Sequence, residues 1–310
     1  MGMKYLLKKI ANATGLYVEY EHFRRLVTIR KISKMKKLSE SEKIKLLNEV
    51  YEQRIGHPIN WENPKTYTEK MQWEKLYNNN PMKTMLSDKY LVREWVKDMI
   101  GEEYLIPLIG VWDSFDQILL DTLPDQFVLK TNHGSGTNVI VTDKAALDWK
   151  AIKKKVNDWM QMDFAYTTFF EMHYSQIERK ILVEKYLETE LGELQDYKFL
   201  CFDGVPKFCW VDLGRYKNHT RTVFDMNWKK EPWSQVCETA DNVPKPKNFD
   251  KMIEIATKLC QGFAHVRVDL YNVDGKIYFG EMTFTNGSGM DRIIPEEYDQ
   301  MLGDMWSLPR

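Results

Sequence analysis

Val266-Arg267-Val268-Asp269-Leu270 alternates apolar and polar residues, Asn272-Val-Asp274-Gly275 supplies a turn, and Ile277-Tyr-Phe-Gly-Glu281 returns. Such a stretch has to double back as an antiparallel hairpin. With Thr283 and Asn286 just beyond it, the hairpin gathers an arginine, two carboxylates and an amide. Two carboxylates on neighbouring strands can share a cation. Magnesium prefers oxygen ligands and accompanies substrate phosphates, so an Asp/Glu pair beside an arginine suits a nucleotide triphosphate better than zinc or copper. A solvated hairpin whose acids face water would use the same residues.

The rest of the chain narrows the choice. With 310 residues, 43% of them hydrophobic, two or three lobes with at least one sizeable core are expected. The net charge of -1, with no block of like charge in the main body, argues against a nucleic-acid partner. The N-terminal stretch is the exception: Lys4, Lys8, Lys9, Arg24, Arg25, Arg30, Lys31, Lys34, Lys36 and Lys37 face only Glu19 and Glu21. A cationic amphipathic helix there can lie on an anionic leaflet or pack on the body. No apolar run is long enough to span a bilayer or serve as a secretory segment, so a cytoplasmic protein is expected, with peripheral contact at the inner face of the membrane as an option. Cys201, Cys209, Cys237 and Cys260 lack C-x-x-C spacing and are expected as reduced thiols; the six histidines are too scattered for a zinc centre.

Helical spacing dominates residues 1–55, Pro58 to Pro64 marks a boundary, and Thr66 to Tyr77 resumes a helix with Trp73 and Leu76 directed at the core. Ser87-Asp88-Lys89 starts another helix over Tyr90 to Met99, closed by Gly101. Strands are expected at 127–130, 138–142, 181–187, 196–202, 206–211 and 221–224, and helices at 145–161, 166–179 and 248–261. Asp203-Gly204 is a strong hairpin signal. The fold class is therefore α+β. Three divisions follow: a basic helical segment over 1–60, an intermediate region over 61–126, and the main lobes over 127–310.

Several motifs could serve a nucleotide. In Thr131-Asn132-His133-Gly134-Ser135-Gly136-Thr137, the glycines let backbone N–H groups approach a phosphate, and Ser135 and Thr137 offer hydroxyls. An ordinary hairpin turn would use the same residues, and neither G-x-x-x-x-G-K-[ST] nor G-x-G-x-x-G occurs. Lys130 precedes the loop and Lys198 lies inside a strand; a lysine pointed inward from a sheet needs an anion, unless it snorkels to the surface. In Leu182-Val-Glu184-Lys185-Tyr186-Leu187 apolar neighbours could flank a flat base while Glu184 or adjoining backbone takes its polar edge, with Glu188 or Glu190 near a ribose. Arg215, His219 and Arg221 form a basic cluster that suits a substrate carboxylate or phosphate, or simply a solvated loop.

The order of these motifs over roughly residues 85–295 resembles the ATP-grasp family of ATP-dependent ligases. Asp88-Lys89-Tyr-Leu-Val-Arg93, Lys130 to Gly136 and Gly280-Glu281-Met-Thr-Phe carry a closer resemblance to its TupA-like type, from teichuronopeptide and bacterial surface-polysaccharide biosynthesis. The resemblance implies two α+β lobes clasping ATP, preceded by the helical N-terminal segment. It implies an acid–amino-acid ligase that makes an amide through an acyl phosphate, with ATP and magnesium as cofactors. Arg267 and Lys198 would be catalytic; Lys130, His133, Gly134, Ser135, Gly136, Glu184, Lys185, Tyr186, Leu187, Glu190 and Lys198 would bind the nucleotide. Asp269 and Glu281 would hold the metal. The family's asparagine two residues after the metal glutamate is Thr283 here, leaving Thr283, Asn286 or a water for the third place. Lys89, Arg93, Arg215, His219, Arg221 and Ser288 fall to the substrates, a carboxylate-bearing glycan or sugar and an amino acid or amine. Two other readings compete: a glycosyltransferase, which would need a Rossmann-like sheet, and a non-catalytic nucleotide-binding protein.

Overall fold

The computed structural model describes residues 17–189, 194–214 and 219–309, with side chains described from residue 22 onward. Glu190 and Arg215 lie outside the described residues. The helices Tyr17–Met35 and Glu40–Ile55 come first. Ser39 and Glu42 form a capping box at the start of the second, and Gly56, at φ 111°, ends it in the left-handed region. Thr66 and Glu69 repeat the box at the helix Tyr67–Tyr77. There the inward face holds Tyr67, Met71, Gln72 and Lys75, whereas Trp73 and Leu76, expected in the core, are half-buried.

Two other expectations change. The expected helix from Tyr90 is Val92–Ile100, because the Asp88 carboxylate accepts from Tyr90 N at 2.8 Å and Leu91 N at 3.2 Å and holds a turn ahead of it. A separate helix, Pro81–Ser87, precedes this turn. The helix expected over 166–179 is absent: Phe164–Thr167 makes one turn, Phe169 and Phe170 take φ of 57° and 72°, and Met172–Gln176 is a short 3-10 helix. Two consecutive left-handed residues cannot continue a right-handed helix.

Eleven strands among the described residues make three sheets. The first orders β1 (Leu108–Trp112), β4 (Ile181–Lys185), β2 (Phe127–Thr131) and β3 (Asn138–Val141). The second orders β10 (Lys276–Thr283), β9 (His265–Val273), β5 (Asp196–Phe202), β6 (Val205–Leu213) and β7 (Thr220–Asp225). β8 (Ser234–Gln235) and β11 (Ile293–Ile294) pair separately. Every paired strand is antiparallel, so the Rossmann-like sheet required by a glycosyltransferase reading does not appear among the described residues.

Each sheet buries one face by the two-residue period of strands. The helix Trp149–Gln161 covers the first sheet through Ile152, Val156 and Trp159 against Phe127, Leu129 and Val183. On the second sheet, Tyr197, Phe199, Val266, Val268 and Leu270 pack under Met252, Ile255 and Leu259 of the helix Phe249–Leu259. The intervening residues point to the opposite face, which divides in two. Leu200, Phe202 and Trp210 pack on Tyr67, Leu302 and Trp306. The remainder of that face carries charges.

The basic N-terminal helix and the turn that follows it dock by ion pairs. His22 Nδ1 and Arg25 Nε lie 2.8 and 2.6 Å from the Asp158 carboxylate, and Lys36 Nζ is 2.7 Å from Asp163. Phe23, Arg24, Leu26, Arg30 and Lys31 remain exposed. No helix among the described residues is long and apolar enough to cross a membrane. The four cysteines are free thiols.

Candidate functional site

Strand register assembles the charged face. Lys198 of β5 is opposite Asp269 of β9, and Asp269 is opposite Glu281 of β10, so three charged residues form one row across three strands. Strict alternation would not put Glu281 there: Ile277 and Phe279 face the apolar side, which would send residue 281 the same way. The register shifts between Phe279 and Glu281, a bulge centred on Gly280 that turns Glu281 to the charged side. A Cβ on Gly280 would meet the Asp269 carbonyl oxygen at 3.0 Å.

Arg267 occupies the centre. Its Nε donates to Asp269 Oδ1 at 2.6 Å, and its Nη2 to Asp269 Oδ2, Glu281 Oε1 and Thr283 Oγ1 at 2.7, 2.9 and 3.0 Å. Nη1 donates to Asn286 Oδ1, and Thr283 Oγ1 donates to Glu281 Oε1 at 3.3 Å. Burial alone would lower the pKa of Arg267; Asp269 and Glu281 more than reverse this and hold the guanidinium protonated. Burial raises the pKa of Asp269 against the opposing pull of Arg267 and Lys198. Lys198, 3% exposed, meets the anion that an inward lysine requires: Nζ lies 2.5 Å from Asp196 and 2.7 Å from Asp269.

The network continues through Asp212. Arg221 grips its carboxylate with Nε at 2.6 Å and Nη2 at 2.9 Å and lies over the Trp210 ring, while His219 Nε2 is 3.4 Å from Asp212. Thus Arg221, read from sequence as part of a basic substrate cluster, already has a carboxylate partner. Asn286 Nδ2 donates to Gln235 at 3.1 Å.

Three stretches far apart in sequence meet at Lys89. Its backbone N–H donates to Asn132 O at 3.2 Å, its Nζ donates to Gly134 O at 2.6 Å, and Nζ lies 4.0 Å from Glu281 Oε2. The glycine loop is thereby tied to the acidic hairpin of the other sheet. The loop closes on itself through Thr131 Oγ1 donating to Thr137 Oγ1 at 2.8 Å. Gly134 is needed for space, because a Cβ would strike the Phe164 ring at 2.5 Å; Gly136 is needed for its φ of 69°. His133, 1% exposed, points away from the loop opening: its ring packs on Phe164, and Nε2 shares a hydrogen bond with Trp159 O at 3.2 Å.

Between the sheets lies a cleft of about 570 Å³. Val128, Lys130 and Ile140 line one side, Leu194 and Tyr271 the other, and the segment 184–189, with Lys185, Tyr186 and Leu187, joins them. Lys130 Nζ is 2.6 Å from Glu184 Oε2, and Arg93 Nη1 is 3.2 Å from Glu184 Oε1. Arg93, read as a substrate residue, therefore already pairs with Glu184, a residue of the cleft wall. A second cavity, of about 340 Å³, is lined in part by the charged row. Ser135 of the glycine loop lines it together with Arg267, Glu281 and Thr283. Ser288, at φ 57°, is held by its Oγ donating to Thr168 O and by Lys75 Nζ donating to its own carbonyl at 2.9 Å.

The oxygen donors suit a hard cation. Asp269 and Glu281 supply carboxylates and Thr283 and Asn286 neutral oxygens, the donor chemistry of a magnesium site, and in this structure Arg267 engages each of them. No group of three or more His, Cys, Asp or Glu gathers for a metal among the described residues. Sequence reasoning passed over Asp196, Asp212, Gln235, Lys75, Glu171 and Arg54. Asp196, two residues before Lys198, could have been found from the strand period; the others touch the site only through tertiary contacts.

A protein-family model described as TupA-like ATPgrasp matches residues 69–307. Among solved structures, the chain is similar to D-alanine–D-alanine ligase from Helicobacter pylori, at 13% identity and a TM-score of 0.41, covering 79% of this chain and 68% of that one. D-Alanine–D-alanine ligase from Bacillus anthracis gives 19% identity and a TM-score of 0.41, with coverage of 78% and 74%. The ATP-grasp ligase PsnB gives 10% and 0.37, with coverage of 68% and 56%. No curated protein matches the chain by sequence.

Proposed function

We propose, from the premise that the chain belongs to the TupA-like ATP-grasp family, that it is an ATP-dependent carboxylate–amine ligase. Its acceptor is a carboxylate-bearing glycan or sugar of a bacterial surface polysaccharide or its precursor, and its second substrate an amino acid or amine. The polysaccharide setting rests on the family resemblance. The ligase chemistry rests on one observation: Ser135 of the glycine loop lines a single cavity with Arg267, Glu281 and Thr283.

A carboxylate is a poor electrophile because its leaving group would be oxide. Attack of its oxygen on the γ-phosphorus of ATP releases ADP and leaves an acyl phosphate. The amine nitrogen then attacks the carbonyl carbon, phosphate departs with its bonding electrons, and the nitrogen sheds a proton to give the amide. Positioning and electrostatics dominate such a transfer. Arg267, held protonated and fixed by four side chains, sets a positive charge beside the transferring phosphoryl and the tetrahedral oxyanion. Lys130 and Lys198 approach the phosphates from opposite sheets. Gly134 to Gly136 cover them and exclude water that would hydrolyse the acyl phosphate. Asp269 and Glu281 would hold magnesium, which would neutralise charge on the phosphate oxygens. The exposed Phe23 and Leu26 beside Arg24, Arg30 and Lys31 suit contact with an anionic membrane surface, where a lipid-linked acceptor resides.

Incubation with ATP, magnesium and pooled uronic acids and amino acids, read by mass spectrometry, tests the reading. A new amide mass appearing with ADP is expected. ADP release that ignores every acid and amine supplied, or activity undiminished in Asp269→Asn, would sink it.

A further inference from the structure

The 340 Å³ cavity has a wall from outside the matched region 69–307. Arg54, in the last turn of the helix Glu40–Ile55, lines it together with Phe169 and Glu171. The Arg54 guanidinium lies over the Phe169 ring, 5.7 Å from its centroid, and no carboxylate forms an ion pair with it among the described residues. An arginine there gains from the helix dipole wherever it points. Stacking on a ring at a cavity wall is a further restraint that the dipole does not supply.

Glu171 is its counterpart. It is 5% exposed and lines the same cavity, yet a hydroxyl holds it: Thr285 Oγ1 donates to Oε1. The nearby Lys75 spends its Nζ on the carbonyl and hydroxyl of Ser288, at 2.9 and 3.1 Å. The other charged groups on the wall, Arg267 and Glu281, pair with each other at 2.9 Å. The cavity therefore has one cation and one carboxyl group that make no ion pair with an opposite charge among the described residues.

The backbone around this pair is strained. Phe169, Phe170 and Ser288 take φ of 57°, 72° and 57°, which non-glycine residues rarely adopt. The two segments are latched together, Ser288 Oγ to Thr168 O and Thr285 Oγ1 to Glu171. Strain kept in place by such latches concentrates at binding sites.

We propose that this cavity binds the amine substrate as an amino acid, its carboxylate on Arg54 and its ammonium on Glu171, making the helix Glu40–Ile55 a specificity-determining part of the site. The proposal rests on the ligase reading. A zwitterion satisfies both groups at once, in a cavity that Arg267 also lines. A simple amine would leave Arg54 without an anion.

The full chain, supplied with ATP, magnesium and pooled uronic acids, is offered two nucleophiles: hydroxylamine, which carries no anion, and pooled amino acids. Arg54→Gln is expected to raise KM for the amino acid at least tenfold more than for hydroxylamine, and Arg54→Lys to recover part of the loss. Equal effects on both nucleophiles, or amino-acid amides that react as well as the amino acids, overturn the proposal. Absence of any hydroxamate with wild-type protein overturns the ligase reading instead. Binding is then read without turnover, as the thermal shift produced by single amino acids in the presence of ATP. A shift in wild type that Arg54→Gln abolishes supports the site, and no shift with any amino acid overturns it. A larger shift with aminoalkyl phosphonates than with amino acids overturns the carboxylate assignment.

Discussion

Asp269 and Glu281 share the charged face of the second sheet because the Gly280 bulge reverses the side to which β10 presents its next residue. The hairpin partner of Asp269 is set by backbone geometry as much as by the carboxylate itself. Gly280→Ala brings a Cβ to 3.0 Å from the Asp269 carbonyl oxygen, a backbone atom that cannot swing away. We expect a loss of about 1–3 kcal/mol in urea unfolding, together with weaker binding of magnesium-ATP by calorimetry. Undiminished stability and nucleotide affinity would show that the bulge tolerates a side chain.

The two acids should differ in what they do for folding. Asp269, 2% exposed, neutralises both Arg267 and Lys198, so Asp269→Asn should cost about 3–5 kcal/mol in urea unfolding by leaving buried cations underpaired. Glu281 is half-buried, and Glu281→Gln should stay within about 1 kcal/mol of wild type. Both should weaken magnesium-ATP binding. Equal destabilisation by the two variants would contradict the placement of Glu281 at the open side of the network.

Arg267→Lys keeps a charge but loses the fork that reaches Asp269, Glu281, Thr283 and Asn286 together. ADP formation with the acceptor present should fall by on the order of 10²–10³. ATP should still produce a thermal shift, since Lys130 and the cleft lining are untouched. An active lysine variant would remove Arg267 from the phosphoryl-transfer step.

In the glycine loop, Gly134→Ala forces the Phe164 ring to move from a contact of 2.5 Å, whereas Gly136→Ala meets nothing within 4 Å and bears only the strain of φ 69°. The second change should therefore cost about 1 kcal/mol and the first more. ATP affinity should follow the same order in fluorescence titration. The reverse order would mean that Phe164 repacks without effort.

Burial pushes His173 down to about 3, so the native ring stays neutral while the unfolded ring protonates below its ordinary value of 6.5. This depressed pKa contributes stability that is whole above 6.5 and is lost as pH falls toward 3. His133 and His265, pushed by burial to about 4 and about 3, act in the same direction. Within that window His173→Phe should flatten the pH dependence of unfolding by about 1.4 kcal/mol per pH unit. An unchanged slope in urea titrations between pH 5 and 6.5 would show that His173 protonates in the native state.

Local patterns recovered most elements. Alternation located β2, β4, β5, β6 and β9, Asp203-Gly204 marked its hairpin, and the capping pair Thr66 and Glu69 sits where the helix was expected to resume. The helix expected over 166–179 failed because its residues have helical spacing while Phe169 and Phe170 adopt left-handed backbone, Phe170 being buried in a cluster with Leu47, Tyr51 and Ile55. Among the site candidates, Lys198, Arg267, Asp269, Glu281, Thr283 and Asn286 come together. His133 turns into packing behind the loop, and Arg93 and Arg221 are engaged by Glu184 and Asp212.

Residue type and spacing by themselves determined that this chain carries a polar hairpin, a glycine loop and two strand lysines in the order of an ATP-grasp protein, because hydrophobic period and turn chemistry are local properties. Only the tertiary structure decided which side Glu281 faces, that Lys89 ties the glycine loop to the hairpin, and that Arg54 and Glu171 share a cavity. A bulge reverses strand parity without disturbing composition, and contacts across more than 40 or 100 residues arise when separate sheets dock. Neither leaves a periodic trace in the sequence.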